Sequence, residues 1–208
     1  MPLTVTLNNN QFTFSDQALE AIATTFWRTR VKERGRMLCR SDNEIIAGPE
    51  HIGGAGSITT YNCRGIPEAG DFHTHPTGNS APSWWDAYAI LATSYRRNKP
   101  VLGCRGAKED GLIRCETVNR LPTIVELQYF KEKRHKMRGT WAHTDPEIAG
   151  YLTESYSFEV RKVPEIIRPP APPPLMPRIK TEELVFAGSM FKRYTNLDTG
   201  ETRVEKVY

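Results

Sequence analysis

Asp71-Phe72-His73-Thr74-His75-Pro76-Thr77-Gly78-Asn79-Ser80-Ala81-Pro82-Ser83-Trp84-Trp85-Asp86 holds most of the functional information in this 208-residue chain. Alternate side chains of an extended strand share a face, so His73 and His75 point together while Thr74 turns the other way. Pro76 ends the strand and Gly78-Asn79 reverses the chain. Pro82-Ser83 is then a helix entry that sets Ser83 and Asp86 about one turn apart on one face. Asp86 supplies a third ligand at the point where both imidazoles aim. Two histidines and a carboxylate leave one tetrahedral position of Zn²⁺ open, as in catalytic rather than closed structural sites. Taken singly, these features are ordinary. Ser-x-x-Asp before an apolar run is a common helix capping box, and His-x-His alone is usually a strand with two partly exposed histidines. The joint spacing selects the metal reading.

Composition around this stretch bounds the rest. A chain of this length buries one substantial core, with room for a small appendage. The net charge of +4, with a pI near 8.9, is too slight an excess to imply nucleic acid, which is not expected as a partner. Local cationic stretches at 96–99 and 131–138 read as solvated helix faces. No apolar run approaches a membrane span, and the first residues, MPLTVTLNNN, lack the pattern of a secretory leader, so a cytoplasmic protein with no membrane partner is expected. The four cysteines, Cys39, Cys63, Cys104 and Cys115, show no CxxC pairing and read most simply as buried thiols. Cys104 and Cys115 facing each other across a hairpin, and so able to form a disulfide, is the alternative.

In chain order, 3–7 and 11–14 read as paired strands and Ser15 or Asp16 as a helix cap. The apolar spacing Leu19, Ile22, Ala23, Phe26 predicts a helix to about Lys32, broken by Gly35. Strands follow at 33–39 and 45–46, the second ended by Gly48-Pro49, and at 57–63 and 71–75. Trp84 to Arg96 is a helix packed on the sheet, and 100–105 with 112–118 a hairpin with a short polar tip. Helices at 123–137 and from Asp145-Pro146, and a strand at 156–160, complete the first part. From Val163 the composition changes to a proline-rich run that favours polyproline II, a semi-rigid spacer or a ligand for an aromatic-lined domain of a protein partner. Beyond it a small β-hairpin is expected. The organisation is thus 1–162 as the main domain, 163–180 as linker and 181–208 as extension.

His73-Thr74-His75-Pro76, six residues, Ser83, two residues and Asp86 resemble the JAMM (MPN+) metalloprotease motif position for position. The resemblance implies an α/β fold related to cytidine deaminases, a mixed β-sheet flanked by helices. It also implies one zinc on His73, His75 and Asp86, and hydrolysis of isopeptide or peptide bonds at the C-termini of ubiquitin or ubiquitin-like proteins, a deubiquitinase-like isopeptidase. Ser83 takes the family's oxyanion-binding role. The family also places a general-base glutamate on an early strand. Glu33-Arg34-Gly35-Arg36-Met37 resembles that Glu-x-x-Gly-apolar strand, although Arg36 departs from the apolar pattern, so Glu33 is the candidate, with Glu44 and Glu50 as rivals. Two alternatives stand beside this reading: a metal-free interaction scaffold of the same family, and a metallopeptidase acting on a different peptide.

Overall fold

We describe the chain from a computed structural model, covering residues 2–54, 58, 63–160, 179–186, 189–196 and 201–207. The expected strand at 57–63 and the proline-rich run lie largely outside the described residues. The chain divides into two compact units, Met1–Val163 and Pro164–Tyr208.

The first unit is mixed α/β. Its strands are β1 (Leu3–Leu7), β2 (Asn10–Phe14), β3 (Arg34–Ser41), β4 (Glu44–Ile52), β5 (Glu68–His75), β6 (Leu102–Ala107), β7 (Leu112–Glu116) and β8 (Tyr156–Glu159). They form one eight-stranded sheet in the order β1-β2-β4-β3-β5-β6-β7-β8. Neighbours are antiparallel except for the pairs β2/β4 and β5/β6. The helices are α1 (Asp16–Arg28), α2 (Trp84–Arg97), α3 (Ile124–Lys133) and the single turn α4 (Pro146–Ala149).

The parallel pair β5/β6 requires a crossover, and α2 supplies it. The sheet separates two apolar clusters. One holds Phe12, Phe14, Ile22, Phe26, Phe72 and Cys104 beneath α1, and the other gathers Trp84, Ile90, Leu91, Leu127 and Phe130 around α2 and α3. Each such fully buried side chain contributes about 1.5–3 kcal/mol. Beyond the irregularity at Gly70, the odd-numbered positions of β5 face α2, so Asp71, His73 and His75 point to that side while Phe72 fills the α1 core. At Gly70 the backbone φ is +151°, and a Cβ would run into the Leu102 carbonyl of β6, so glycine is required for the close pairing that starts β5/β6.

Several expectations need correction. α1 stops at Arg28 rather than near Lys32, because Thr29 leaves the helix, its hydroxyl bonding the Thr25 carbonyl (3.0 Å) and Thr74 Oγ1 (2.7 Å) on β5. β4 runs through Gly48-Pro49 instead of ending there, since β3 holds it by antiparallel pairing up to Arg34↔Ile52. All four cysteines are joined, Cys39 to Cys63 and Cys104 to Cys115, so the thiol reading is wrong. Cys104 and Cys115 are direct cross-strand partners with Cα atoms 4.1 Å apart. Disulfides persist mainly in oxidising surroundings, which does not favour the cytoplasmic location expected above. Among the described residues no helix is long and apolar enough to cross a membrane.

The second unit is a three-stranded antiparallel sheet rather than a hairpin: β9 (Ile179–Phe186), β10 (Ser189–Asn196) and β11 (Thr202–Val207), in the order β11-β10-β9. β9 opens at Ile179, inside the span expected to be linker. Opposite charges line the ladder, with Glu182 meeting both Arg193 across the strands and Lys180.

Candidate metal centre

His73 and His75 reach the α2 face of β5 and there meet the first turn of α2. His73 Nε2 lies 3.1 Å from Asp86 Oδ1, and His75 Nε2 lies 3.4 Å from Asp86 Oδ2. One ligand-type atom from each residue falls within 4.8 Å of the others, a grouping able to hold a metal ion. Both histidines are buried. Ser83 is the N-cap of α2: its Oγ accepts the Asp86 N–H (3.2 Å), and Asp86 Oδ2 accepts the Ser83 N–H (2.8 Å). The capping box is therefore present. Rather than competing with the ligand reading, it fixes the rotamer that turns Oδ1 toward His73.

The far nitrogens determine what the near ones can do. His75 Nδ1 sits 2.9 Å from the Asn79 carbonyl, which can only accept, so Nδ1 carries a proton. His73 Nδ1 is 3.0 Å from Asp71 Oδ2, which likewise accepts. In the neutral imidazoles both Nε2 atoms are then acceptors, and with the Asp86 carboxylate three acceptors converge on one point. Such an arrangement repels itself unless protons or a cation lie between, and histidines oriented through Nδ1 by a carboxylate or carbonyl are the usual metal-ligating form. The donor set fits a divalent ion.

Without a cation, protonation answers the same repulsion. Burial opposes it, but Asp86, together with hydrogen bonds to Asp71 and Asp86, pushes the His73 pKa up from 6.5 to about 10. Burial likewise opposes ionisation of Asp86, yet His73, hydrogen bonds from both imidazoles and the Arg105 guanidinium hold its carboxyl well below the usual range. A raised imidazole stabilises the fold fully below its unfolded value of 6.5, and that contribution is lost as pH climbs toward about 10. A depressed carboxylate acts in the opposite sense, losing its contribution only in acid. Melting curves of chelator-treated protein are expected to fall between pH 7 and 10. A flat profile there would show that His73 is not paired as described.

Glu33 immediately precedes β3 and is 8% exposed. Its N–H donates to the Gly54 carbonyl (2.8 Å) and its carbonyl accepts from Gly53 N–H (2.9 Å), which holds the backbone beside the end of β4. Burial raises the Glu33 pKa, and the charges of His73 and His75 oppose that rise. The rivals lie elsewhere. Glu50 accepts from Thr25 Oγ1 (2.9 Å) and Arg34 Nη1 (2.6 Å), and Glu44 is exposed at the start of β4. Of the three, Glu33 is the carboxylate coupled to the histidine pair.

Supporting residues were missed in the sequence. Asp71 was legible in principle, being two positions before His73 on the same strand face. The loop carrying Asn79 is clamped by the β6/β7 tip: Gly78 N–H donates to Glu109 Oε1 (2.9 Å), and Ser80 N–H and Oγ–H donate to Asp110 Oδ2 (3.0 and 2.6 Å). The tip thus serves the ligand loop of this chain. Trp141 stands beside the site, its ring 6.0 Å from that of His75. Of the paired tryptophans, Trp84 is core, its Nε1–H donating to Asp145 (2.8 Å), and Trp85 is 38% exposed beneath Arg134.

Behind the site lies a buried ion pair. Arg105 on β6 is the register partner of His73, and its guanidinium crosses over Gly103 to meet Glu116 on β7, which also accepts from Ser155 Oγ. A Cβ at residue 103 would come within 3.0 Å of Arg105 Nη1 and strike Ile90, so Gly103 makes the room. Burial lowers the Arg105 pKa, and Asp86 and Asp71 oppose it. The sequence matches no protein-family model and none of the curated proteins.

Proposed function

We propose that this chain is a zinc-dependent hydrolase of peptide or isopeptide bonds with the JAMM (MPN+) fold that its motif resembles. The bond it cleaves follows the C-terminus of ubiquitin or a ubiquitin-like protein. The observation that carries the reading is the convergence of His73 Nε2, His75 Nε2 and Asp86 Oδ1, with both imidazoles oriented from behind and a buried non-ligand carboxylate, Glu33, beside them.

A zinc ion bound by these residues would polarise the scissile carbonyl and make a water acidic near neutral pH. Glu33 then takes the proton of the attacking water and returns it to the departing amine. Burial raises its pKa, with the histidine charges opposing and Asp86 adding to the rise, the direction that favours taking up a proton. Ser83 uses a lone pair for the Asp86 N–H, which leaves its O–H proton free to donate to the developing oxyanion. Asp71 and the Asn79 carbonyl hold the imidazoles, and Arg105 adds to the influence of the two imidazoles that favours ionised Asp86.

The test is cleavage of ubiquitin-like fusions by the zinc-loaded full chain. Release of the fused partner, abolished by chelation and restored by zinc, is the expected result. A zinc-loaded chain that binds such fusions without cleaving them would overturn the enzymatic reading in favour of a scaffold.

A further inference from the structure

Residues 28–36, Arg28-Thr29-Arg30-Val31-Lys32-Glu33-Arg34-Gly35-Arg36, place five cations around a single carboxylate. The fold divides them. Arg34 and Arg36 pair with Glu50, whereas no carboxylate among the described residues pairs with Arg28, Arg30 or Lys32. These three, with Val31, Arg34 and Ile52, line an open depression of about 400 Å³. Val31 is 75% and Ile52 57% exposed, so accessible apolar side chains stand among the cations that line the depression.

Two further features concern what could lie there. β2 pairs with β4 only at Glu44 and Ile45, so among the described residues no strand partners residues 46–52 on that side. Among the described residues, the backbone N–H and C=O groups near Ile52 are thus without a strand partner on that side and could take up an extended chain, with Pro49 limiting its length. In addition, Lys32 and Arg34 flank Glu33 in sequence, and the Glu33 backbone is tied to Gly53-Gly54 just beyond Ile52. Lining residues Lys32 and Arg34 and the proposed base are thus sequence neighbours, and the base is tied to the chain just beyond Ile52.

We propose that this depression is a docking surface for an acidic, extended peptide segment of the substrate. Carboxylates of the segment meet Arg28, Arg30 and Lys32, its alternate apolar side chains cover Val31 and Ile52, and its backbone adds to the end of β4. A peptide fits better than a nucleic acid. Six residues line the depression, its apolar members are aliphatic and none is aromatic, whereas single-strand binding combines a cationic track with stacking rings. The proposal names the substrate class of the hydrolase argued above and rests on that reading for its effect on turnover. The binding itself is independent of catalysis.

The experiment is fluorescence anisotropy with the full chain and a short labelled peptide of alternating Glu and Val. A Lys/Val peptide and a single-stranded oligonucleotide serve as comparison probes, and the variant is Arg30→Glu/Lys32→Glu. The acidic peptide is expected to bind the unmodified protein, to weaken with salt, and to bind the variant at least about tenfold more weakly. Zinc content and circular dichroism should be the same for both proteins, which excludes a folding defect. Equal binding by the variant, or tighter binding of the Lys/Val peptide or the oligonucleotide, overturns the proposal. Charge-dependent binding in a protein that never cleaves would leave the docking surface standing and remove the enzyme reading alone.

Discussion

Glu33→Gln is expected to lower hydrolysis about a hundredfold to ten-thousandfold, the usual consequence of losing a general base, with zinc content and melting temperature unchanged. The amide keeps the size of the side chain and one accepting oxygen but cannot take a proton. Glu33 makes no side-chain ion pair with a lysine or arginine among the described residues, so the change breaks no salt bridge that could lower activity through stability. Glu44→Gln, at an exposed position, should be silent. Glu50→Gln loosens the contacts to Arg34, Arg36 and Thr25 and so should cost stability, without a selective loss of turnover. Full activity in Glu33→Gln, with loss in either of the others, would place the base elsewhere.

The second large effect is expected at Arg105. Replacing it by Met leaves Glu116 buried without its cation, and breaking a buried pair from one side costs about 3–5 kcal/mol. It also removes the positive charge that faces Asp86 and Asp71. Urea unfolding of metal-free protein reads the first effect and zinc affinity the second. The double variant Arg105→Met/Glu116→Leu should regain most of the lost stability, since both charges then leave the interior together, while zinc affinity stays altered. A single variant as stable as the unmodified chain would show that the pair contributes nothing to the fold behind the site.

The part of the site that was legible in the sequence is local. Strand alternation put His73 and His75 on one face, and the one-turn spacing of a helix entrance put Ser83 beside Asp86. Neither inference needs tertiary information. Glu33 was placed by a resemblance and by its position before a strand, and its burial beside the histidines depends on Gly53-Gly54 holding its backbone. What escaped the sequence is long-range. Thr29 ends α1 because of a hydroxyl 45 residues away on β5, where the apolar spacing alone would have continued the helix. The Arg105–Glu116 pair requires the register of three strands, although an arginine between glycines in an otherwise buried strand, Gly103-Cys104-Arg105-Gly106, was a usable sign. Gly48-Pro49 looked like a strand end. In β4 it lies where one edge has no strand partner among the described residues, a position that tolerates proline. The cationic run at 28–36 is visible in the sequence, but its division into Arg34 and Arg36, paired with Glu50 of β4, and the other three cations depends on the β3/β4 pairing.

The most direct test of the account is the metal stoichiometry of the full chain after zinc loading and desalting, measured by elemental analysis beside His75→Ala. The convergence of three acceptors predicts about one zinc per chain in the unmodified protein and loss of tight binding in the variant. A chain that retains no zinc, or a His75→Ala variant that retains as much as the unmodified protein, would contradict it.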